Sequence, residues 1–427
     1  MRPIIKFIYS FILLPIVIII AGILSFLKKS YRRAFFERFK VISKLRKFVQ
    51  SNGNQGKKIL IHCASMGEFE HIKPLISKIS EFSSNQIILT FFSPSGYENI
   101  SNYNGVSLII YVPIDFPGIW RKFYDILNPA LLIISKHDAW PNQIWIANGK
   151  NIPVFLVNAS LNEKSSRIKY PARILFNEVY QAFDQIYAIS ESDCNLFKEH
   201  YKNIHVKAFG DTKFDQVVSR KKKSENKSLI PDQWLSTETV LIMGSVWPED
   251  LIHLKQPLIY LLKTHKNFKM IIAPHQPDEK HLNEIKTFLQ NVPFSLFTDN
   301  TYPQDSRILI VNTIGILADL YRYADIAYIG GSFKQGIHNV MEPAIYGLPV
   351  IYGPVYTNSY DAIQLLQKNG ALLTRNKEEA FQTLNKLIEN PGYRKQLGNN
   401  ALEYALSHTG VSEKLVAQWQ KYFQSSQ

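Results

Sequence analysis

The segment from Ala324 to Pro354, ADIAYIGGSFKQGIHNVMEPAIYGLPVIYGP, contains the residues best suited to hold a ligand. It predicts a buried strand over 325–329, a glycine-rich turn over 330–336 and a helix over 338–346. Glycines let backbone N–H groups approach an oxyanion, and a helix N-terminus adds the positive end of its dipole. The pattern therefore predicts a phosphate site, in which the carboxylate of Glu342 would meet a neutral donor pair such as a ribose diol. A strand-to-helix turn without a ligand is the alternative.

Charged side chains also follow predicted strands in the first half of the chain. Glu68 follows the strand 58–63 at a helix start, where a carboxylate is either a partner for the helix dipole or a general base. The loop 135–142, SKHDAWPN, gathers a cation, an imidazole and the carboxylate of Asp138, although Asp138 could instead cap the next helix. Lys213, in the segment GDTKFD, either neutralises a leaving phosphate or is a solvated surface lysine.

Three further turns follow predicted strands in the second half. They are Gly244-Ser245, Pro274-His275 and Thr313-Ile-Gly315. Each turn alone is a weak signal, but the carboxyl ends of parallel strands meet at one edge of a sheet, where ligands bind. Their coincidence with the glycine-rich turn favours a nucleotide site in this half of the chain.

Short apolar segments alternate with helical patterns along most of the chain. The predicted strands are 58–63, 86–92, 106–112, 130–134, 154–157, 185–189 and 205–208, then 240–243, 270–273, 307–311, 325–329 and 350–352. This alternation is typical of parallel sheets covered by helices on both faces. A chain of 427 residues exceeds one ordinary core. A lysine-rich passage at 220–228 separates the two series, so we predict α/β domains over 51–219 and 220–427, behind an N-terminal segment 1–50. Two doubly wound halves facing one cleft are the simplest arrangement.

The composition indicates a membrane-associated protein with an anionic partner. The formal net charge of +14 favours polyanions, and because no nucleic-acid motif accompanies it, nucleic acid is not expected as a partner. Residues 7–27 are uncharged and long enough to cross a bilayer, and a basic group follows at 28–40. The positive-inside tendency places the larger C-terminal part in the cytoplasm, whether the segment spans the membrane or lies in its surface. Cys63 and Cys194 are too few for a disulfide framework.

Several blocks of the sequence resemble the Kdo transferases, which transfer 3-deoxy-D-manno-octulosonic acid (Kdo) from CMP-Kdo to the lipid A precursor of Gram-negative bacteria. The blocks are HCASMGEFE (62–70), LTFFSPSGYE (89–98), GDTKFD (210–215), the Gly244-Ser245 turn and YRYADIAYIGGSFKQGIHNVMEPAIYGLPVIYGP (321–354). The similarity covers nearly the whole chain, including the N-terminal membrane anchor. It implies the GT-B glycosyltransferase fold, with two Rossmann-like domains, the acceptor side first and the CMP-sugar side second.

The resemblance also implies roles for individual residues. Glu68 corresponds to the base that removes the proton of the acceptor hydroxyl, and Asp138 and Lys213 correspond to transition-state residues. The predicted nucleotide-binding residues are Gly244, Ser245, Pro274, His275, Gly315, Ile316, Leu317, Gly331, Ser332, Gly336, Asn339, Val340, Met341 and Glu342. The implied reaction is a direct inverting displacement without metal or cofactor, in which CMP-Kdo is the donor. The implied partners are a phosphorylated lipid A precursor (lipid IVA) and anionic lipids of the inner membrane, with the catalytic domains on the cytoplasmic face.

Several positions depart from the pattern of the family. Asp138 and His275 stand where the family usually has Glu and Arg, Ile316 stands where it usually has Glu, and Lys136 stands where a second Glu is common. Asp is one methylene shorter than Glu, a retreat of about 1.5 Å. The departures at Asp138, His275 and Ile316 keep open a catalytically impaired homologue that serves as a membrane-bound binding protein. Among enzymes, another GT-B transferase or a nucleotide-sugar epimerase is the alternative.

Overall fold

A computed structural model describes residues 2–52, 56–82, 85–100, 102–235, 239–289, 292–300, 302–303 and 306–423. The chain forms two compact units. The first unit comprises Met1–Gln216 and Gly410–Gln427, and the second unit comprises Val217–Thr409.

The first unit is built on a parallel sheet. Its strands are β1 (Lys58–Cys63), β2 (Gln86–Phe91), β3 (Leu108–Tyr111), β4 (Leu131–Ser135), β5 (Val154–Ala159), β6 (Gln185–Ala188) and β7 (Val206–Ala208). They lie in the order β3-β2-β1-β4-β5-β6-β7, and all neighbours are parallel. The direction of winding reverses between β1 and β4, and ligands of doubly wound sheets bind beyond the strand ends at such a switch point.

Helices cover both faces of this sheet. Those before the unit boundary are α1 (Arg2–Ile8), α2 (Leu14–Ser25), α3 (Lys29–Glu37), α4 (Val41–Asn52), α5 (Met66–Ser80), α6 (Pro94–Tyr97), α7 (Pro117–Leu127), α8 (Pro141–Gly149), α9 (Ala172–Tyr180) and α10 (Glu191–His200). The boundary itself falls within α11 (Lys213–Ser224). Every residue of β1 is buried, since alternate side chains enter separate cores: Leu60 lies in one cluster, and Ile59 and Ile61 lie in the other. Burial on both faces explains why this strand is a continuous apolar run instead of an alternating one.

The second unit repeats this design. Its strands are β8 (Thr239–Val246), β9 (Phe268–Pro274), β10 (Ser295–Leu296), β11 (Ile308–Ile310), β12 (Ile326–Ile329), β13 (Val350–Tyr352) and β14 (Ala371–Leu373). Their order, β10-β11-β9-β8-β12-β13-β14, puts the switch point between β8 and β12. Its helices are α12 (Asp232–Leu235), α13 (Pro248–Thr264), α14 (Glu279–Leu289), α15 (Leu317–Leu320), α16 (Met341–Ile345), α17 (Tyr360–Gln367), α18 (Lys377–Glu389) and α19 (Pro391–Ser407). The edge strands β10 and β14 were not predicted, because two and three residues are too few to form a recognisable strand pattern.

The C-terminal helix α20 (Val411–Phe423) belongs to the first unit, whereas the predicted domain 220–427 included it. Trp419 stacks on Phe155 of β5 with ring centroids 4.9 Å apart. At the start of the helix, the carboxylate of Asp215 accepts the N–H groups of Gly410 and Ser412 at 2.6 and 2.7 Å. The chain therefore returns to the first unit because the apolar face of α20 packs there and the backbone at its start is capped there by Asp215.

An apolar helical segment begins the chain. Within the described residues, Pro3–Ser25 is long and apolar enough to cross a membrane, judged by length and composition alone: it has 23 residues and a mean hydropathy of 2.8. Its middle, Tyr9–Leu13, is π-helical, and α3 folds back beside α2 after an extended residue at Lys28. The predicted apolar anchor is thus a helix in the structure.

Candidate active site

Glu68 lies in the first turn of α5, directly after β1. One of its carboxylate oxygens accepts the N–H of Ala64 at 2.7 Å. Burial raises the pKa of Glu68 above its usual range, and the nearby charge of Asp138 raises it further, while the Ala64 hydrogen bond acts against both. A carboxylate with a raised pKa at a strand end is suited to accept a proton, so the structure is compatible with the predicted base and also shows the capping contact.

Asp138 is tied to the sheet by a buried histidine that the motif contains but that was not predicted to contribute. His62, the fifth residue of β1, has one ring nitrogen 2.9 Å from the Asp138 carboxylate and the other 2.9 Å from the Thr90 hydroxyl of β2. A carboxylate only accepts, so the imidazole donates to Asp138. These hydrogen bonds fix Asp138 at the switch point, where its charge acts on the pKa of Glu68.

Two neighbours of Asp138 complete the loop after β4. Lys136 adopts a left-handed backbone conformation (φ 58°), and its N–H donates to Val157 on β5. The positive charge of Lys136 acts to lower the pKa of Glu68. His137 contacts the Ser160 hydroxyl at 3.2 Å, and burial, with nearby cations, lowers the pKa of His137 to about 4. At neutral pH this loop therefore presents a cation, a neutral imidazole and a carboxylate.

Lys213 starts α11, in a loop that is anchored to the sheet. Its backbone N–H donates to Asp211 at 2.9 Å, and its ammonium lies 3.7 Å from the same carboxylate. The preceding residue, Thr212, exchanges two hydrogen bonds with Asn158 near the end of β5. Burial lowers the pKa of His71 in α5 to about 4, and the positive charges of Lys136 and Lys213 contribute to this decrease. The structure thus places Lys213, Lys136 and Glu68 around the same end of α5.

In the second unit, the predicted Gly244-Ser245 turn is a bulge near the end of β8. The pairing with β9 shifts register between Met243 and Val246, and Ser245 has a φ of 54°. The backbone of the next strand end passes close by: a Cβ on Gly330 would lie 2.3 Å from the Ser245 carbonyl oxygen. The two loops at the switch point therefore pack backbone to backbone, which only glycine permits at position 330.

The glycine-rich turn after β12 was predicted to offer its N–H groups to a phosphate. In the structure, the N–H groups of Gly331 and Gly336 are bonded to groups of the protein. The N–H of Gly331 donates to the buried carboxylate of Asp250 at 2.8 Å, and that of Gly336 donates to the Gly331 carbonyl. The Ser332 hydroxyl is fully buried; it donates to the Ile329 carbonyl of β12 and accepts the N–H of Gly353 after β13. A buried carboxylate, which sequence spacing does not reveal, has taken the place predicted for an oxyanion at Gly331.

The predicted helix over 338–346 begins later, as α16 at Met341. The Asn358 side chain bonds both the N–H and the carbonyl of Ile337 at 3.0 Å, and the Asn339 side chain accepts the Met341 N–H at 3.0 Å. These side chains hold the preceding backbone in a non-helical form. Asn339 is exposed, whereas Val340 and Met341 are buried, so the last two can reach a ligand only through their backbones.

Glu342 is half-buried and paired with Arg220, whose guanidinium donates to the carboxylate at 2.7 Å. The neighbouring Lys221 donates to the Ile345 carbonyl at the end of α16. Glu342, the residue predicted to bind the ribose, is therefore held in place by the positive charge of Arg220.

His275 lies between two other rings. Trp247 stacks on one side with centroids 4.4 Å apart, His338 stacks on the other at 4.6 Å, and the Trp247 indole donates to His338 at 3.1 Å. Burial and the nearby His281 lower the pKa of His275. This position, where the family usually has Arg, therefore offers a neutral ring at neutral pH, directly after Pro274 of β9.

The Gly315 turn reaches the same edge of the sheet. Gly315 has a φ of 93°, and Ile316 directly precedes α15. A Cβ on Gly244 would lie 3.2 Å from the Leu317 side chain. The structure thus brings Leu317 beside Gly244 at the switch point of the second unit.

These features define the class of protein. Two parallel sheets, each with the strand order of a doubly wound nucleotide-binding domain and each with polar residues at its switch point, are the architecture of the GT-B fold. The chain is similar in structure to the UDP-GlcNAc 2-epimerase from Neisseria meningitidis bound to UDP-GlcNAc, with a TM-score of 0.60 over 85% of this chain and all of that chain. At 14% sequence identity, this similarity shows the fold alone.

Sequence comparisons relate the chain to Kdo transferases. Residues 33–216 match the 3-deoxy-D-manno-octulosonic-acid transferase (kdotransferase) family. The chain is 26% identical to a 3-deoxy-D-manno-octulosonic acid transferase of Haemophilus influenzae, over 96% of this chain and 97% of that protein. It is 30% identical to a bifunctional glycosyltransferase/methyltransferase of Fusobacterium nucleatum over 78% of this chain, and it spans about half (52%) of that longer protein. The predicted resemblance to the Kdo transferases is confirmed.

Proposed function

We propose that this protein transfers Kdo from CMP-Kdo to a lipid A precursor, lipid IVA, in lipopolysaccharide biosynthesis. The observation that carries the proposal is the convergence of Glu68 and Asp138 at the switch point of the first sheet, in a chain that resembles Kdo transferases over nearly its whole length. The second unit supplies the residues that we assign to CMP, around Gly244, His275 and Glu342.

In the proposed reaction, Glu68 takes the proton of the acceptor hydroxyl while that oxygen attacks the anomeric carbon of Kdo. The bond from the anomeric carbon to the phosphate of CMP breaks in the same step, and CMP leaves as the anion. A single displacement inverts the anomeric carbon, so Glu68 acts as a base and not as a nucleophile. Lys213 stabilises the negative charge that develops on the leaving group, and Asp138 orients the reacting groups beside Glu68.

Purified full-length protein in detergent with CMP-Kdo and lipid IVA tests the proposal. Mass spectrometry is expected to show addition of Kdo to the lipid, with matching release of CMP, and NMR of the product is expected to show inverted anomeric configuration. Because the resemblance implies no metal, EDTA should leave the rate unchanged. Folded protein that binds CMP-Kdo but makes no glycosylated lipid would identify an impaired homologue.

We also propose that the protein lies on the cytoplasmic face of the inner membrane. The apolar segment Pro3–Ser25 and the basic residues that follow it, including Lys28, Lys29, Arg32 and Arg33, support this placement. Anionic lipids of that membrane would attract the basic group.

The pH dependence of transfer is expected to report the raised pKa of Glu68. A base must be deprotonated, so activity should be low at a pH below the pKa of Glu68 and should rise as the pH passes through it. The midpoint of this acid limb should lie above 4.5, the ordinary pKa of glutamate. The Asp138→Asn variant should move the limb to lower pH, since it removes a negative charge that disfavours ionisation of Glu68. Rates of wild type and variant measured from pH 4 to 8 provide the check; an unshifted limb would remove the coupling.

Glu342→Ala is expected to weaken CMP binding about tenfold or more, the value of a hydrogen bond to a charged group. Calorimetric titration with CMP and 2′-deoxy-CMP separates ribose binding from a structural effect. Wild type should prefer CMP, and the variant should bind both equally if the carboxylate holds the ribose. Glu389→Ala, an exposed substitution in α18, is the matched control. A preference for CMP that survives in Glu342→Ala would refute the assignment.

A further inference from the structure

The first unit contains an apolar groove of about 580 Å³ that the proposed chemistry does not use. One wall is formed by the N-terminal helices, with Val17 and Ala21 of α2 and Phe35 of α3. The other wall is formed by strand-end loops, with Phe92 after β2, Pro113 after β3 and Trp140 after β4. The volume lies within the range of small-molecule sites, and the walls are mostly hydrocarbon.

The helical wall is attached to the unit by buried polar contacts. The hydroxyl of Tyr9 donates to Asp115 at 2.9 Å, and that of Ser10 donates to Asn142 at 2.9 Å. Asp115 also accepts the backbone N–H groups of Asn142 and Gln143 at the start of α8. The start of the apolar segment and the loops after β3 and β4 are therefore one connected network, so the groove is a built feature and not a gap beside a loosely placed helix.

The opposite wall leads to the candidate active site. Trp140 is two residues from Asp138, and its ring lies 5.2 Å from that of Phe92. The N–H of Phe92 donates to the carbonyl of Cys63, at the end of the strand that precedes Glu68. A ligand in the groove would therefore pass beside the loops that carry Glu68 and Asp138.

The surroundings of the groove indicate that its ligand is an amphiphilic anion. Lys28 and Arg38 both line it, and the guanidinium of Arg38 lies over the rings of Phe92 and Tyr111 at 4.8 and 5.2 Å. The outward side of α2 is exposed and apolar, as shown by Ile19 and Ile23, which are 63% and 67% exposed. A bilayer against this side would be continuous with the groove.

We propose that the groove binds one acyl chain of the phosphorylated acceptor lipid, while the sugar of that lipid lies beside Glu68 and Asp138. This assignment rests on the proposed function and adds the part of the protein that recognises the lipid. Each methylene buried in the groove would strengthen acceptor binding roughly fourfold. The apolar helix then serves as a wall of the acceptor site as well as a membrane contact.

Filling the groove tests this assignment. Ala21 is exposed on the groove side of α2, so Ala21→Phe adds a ring without displacing a packed neighbour. Ile19→Phe, on the outward side of the same helix, is the matched control. With tetra-acylated acceptor, Ala21→Phe should raise KM at least tenfold, while the KM for CMP-Kdo and the rate with deacylated, water-soluble acceptor stay unchanged. Val17→Trp should act like Ala21→Phe, and circular dichroism confirms that each variant folds.

Binding of a fluorescent fatty acid provides a readout that does not need activity. Wild type and Ile19→Phe should bind the probe, and Ala21→Phe should not. If wild type transfers Kdo but Ala21→Phe matches the control in both assays, the groove assignment is wrong and the proposed function stands. If the probe binds as expected but no variant transfers Kdo, the proposed function fails and the groove remains a site for acyl chains.

Discussion

Replacing Glu68 by glutamine is expected to reduce Kdo transfer by about three orders of magnitude while the affinity for CMP-Kdo stays unchanged. A positioned general base contributes about 10²–10⁴-fold, and an amide cannot take the proton of the acceptor hydroxyl. Glutamine keeps a carbonyl oxygen that can accept the N–H of Ala64, so the start of α5 is preserved. The loss should therefore appear in kcat and not in binding.

Single-turnover rates and equilibrium titration with CMP-Kdo measure the two quantities separately. Glu81→Gln, an exposed substitution just after the same helix, is the control and should keep full activity. An equal loss of rate and of CMP-Kdo affinity would show that Glu68 supports the donor site instead of acting as the base.

The strands and the positions of the catalytic candidates follow from simple regularities in the sequence. A parallel strand that is buried on both faces is mostly apolar, so runs such as the Ile-Leu-Ile centre of KILIHC at β1 are recognisable. Polar residues directly after such runs must lie at the carboxyl edge of the sheet. This reasoning placed Glu68 and Asp138 each at the carboxyl edge of the predicted sheet, and the neighbouring positions of β1 and β4 explain why the charge of Asp138 acts on Glu68.

The partners of these residues could not be predicted in the same way. His62 lies inside an apolar strand and Arg220 lies in a lysine-rich helix, so nothing local distinguishes either side chain from a structural or solvated one. Their contacts with Asp138 and Glu342 span 76 and 122 residues of chain. Only the strand order of the first sheet and the packing of α11 on α16 bring these pairs together.

The glycine-rich turn shows a different limit. Its glycines are required, as Gly331 has a φ of 79°, but glycines show only that backbone groups approach closely and not what they approach. In the structure the partner at Gly331 is Asp250, near the start of α13, 81 residues earlier. A turn organised by a buried carboxylate is pre-formed before any ligand arrives, which gives Asp250 a role that the motif alone did not indicate.

Replacing Asp250 by asparagine is accordingly expected to destabilise the second unit by about 3 kcal/mol, since each buried donor left without a partner costs about 1–3 kcal/mol. The Asp250 carboxylate accepts the N–H groups of Trp247 and Gly331 and the hydroxyl of Tyr328, at 2.8–2.9 Å. An amide has one oxygen for these three donors, and its own N–H₂ group would face at least one of them.

Hydrogen exchange followed by mass spectrometry locates the effect, because it reports the second unit separately from the first. Amides around 328–336 should lose protection in Asp250→Asn, and CMP affinity should fall with them as the turn loosens. Glu249→Gln is the matched control: it is the adjacent residue, and it meets the same turn through a surface pair with Lys334 at 2.8 Å, so it should change stability by less than about 1 kcal/mol. Protection that is equal in both variants would mean that the turn is held by its own backbone hydrogen bonds, and that the buried carboxylate does not organise it.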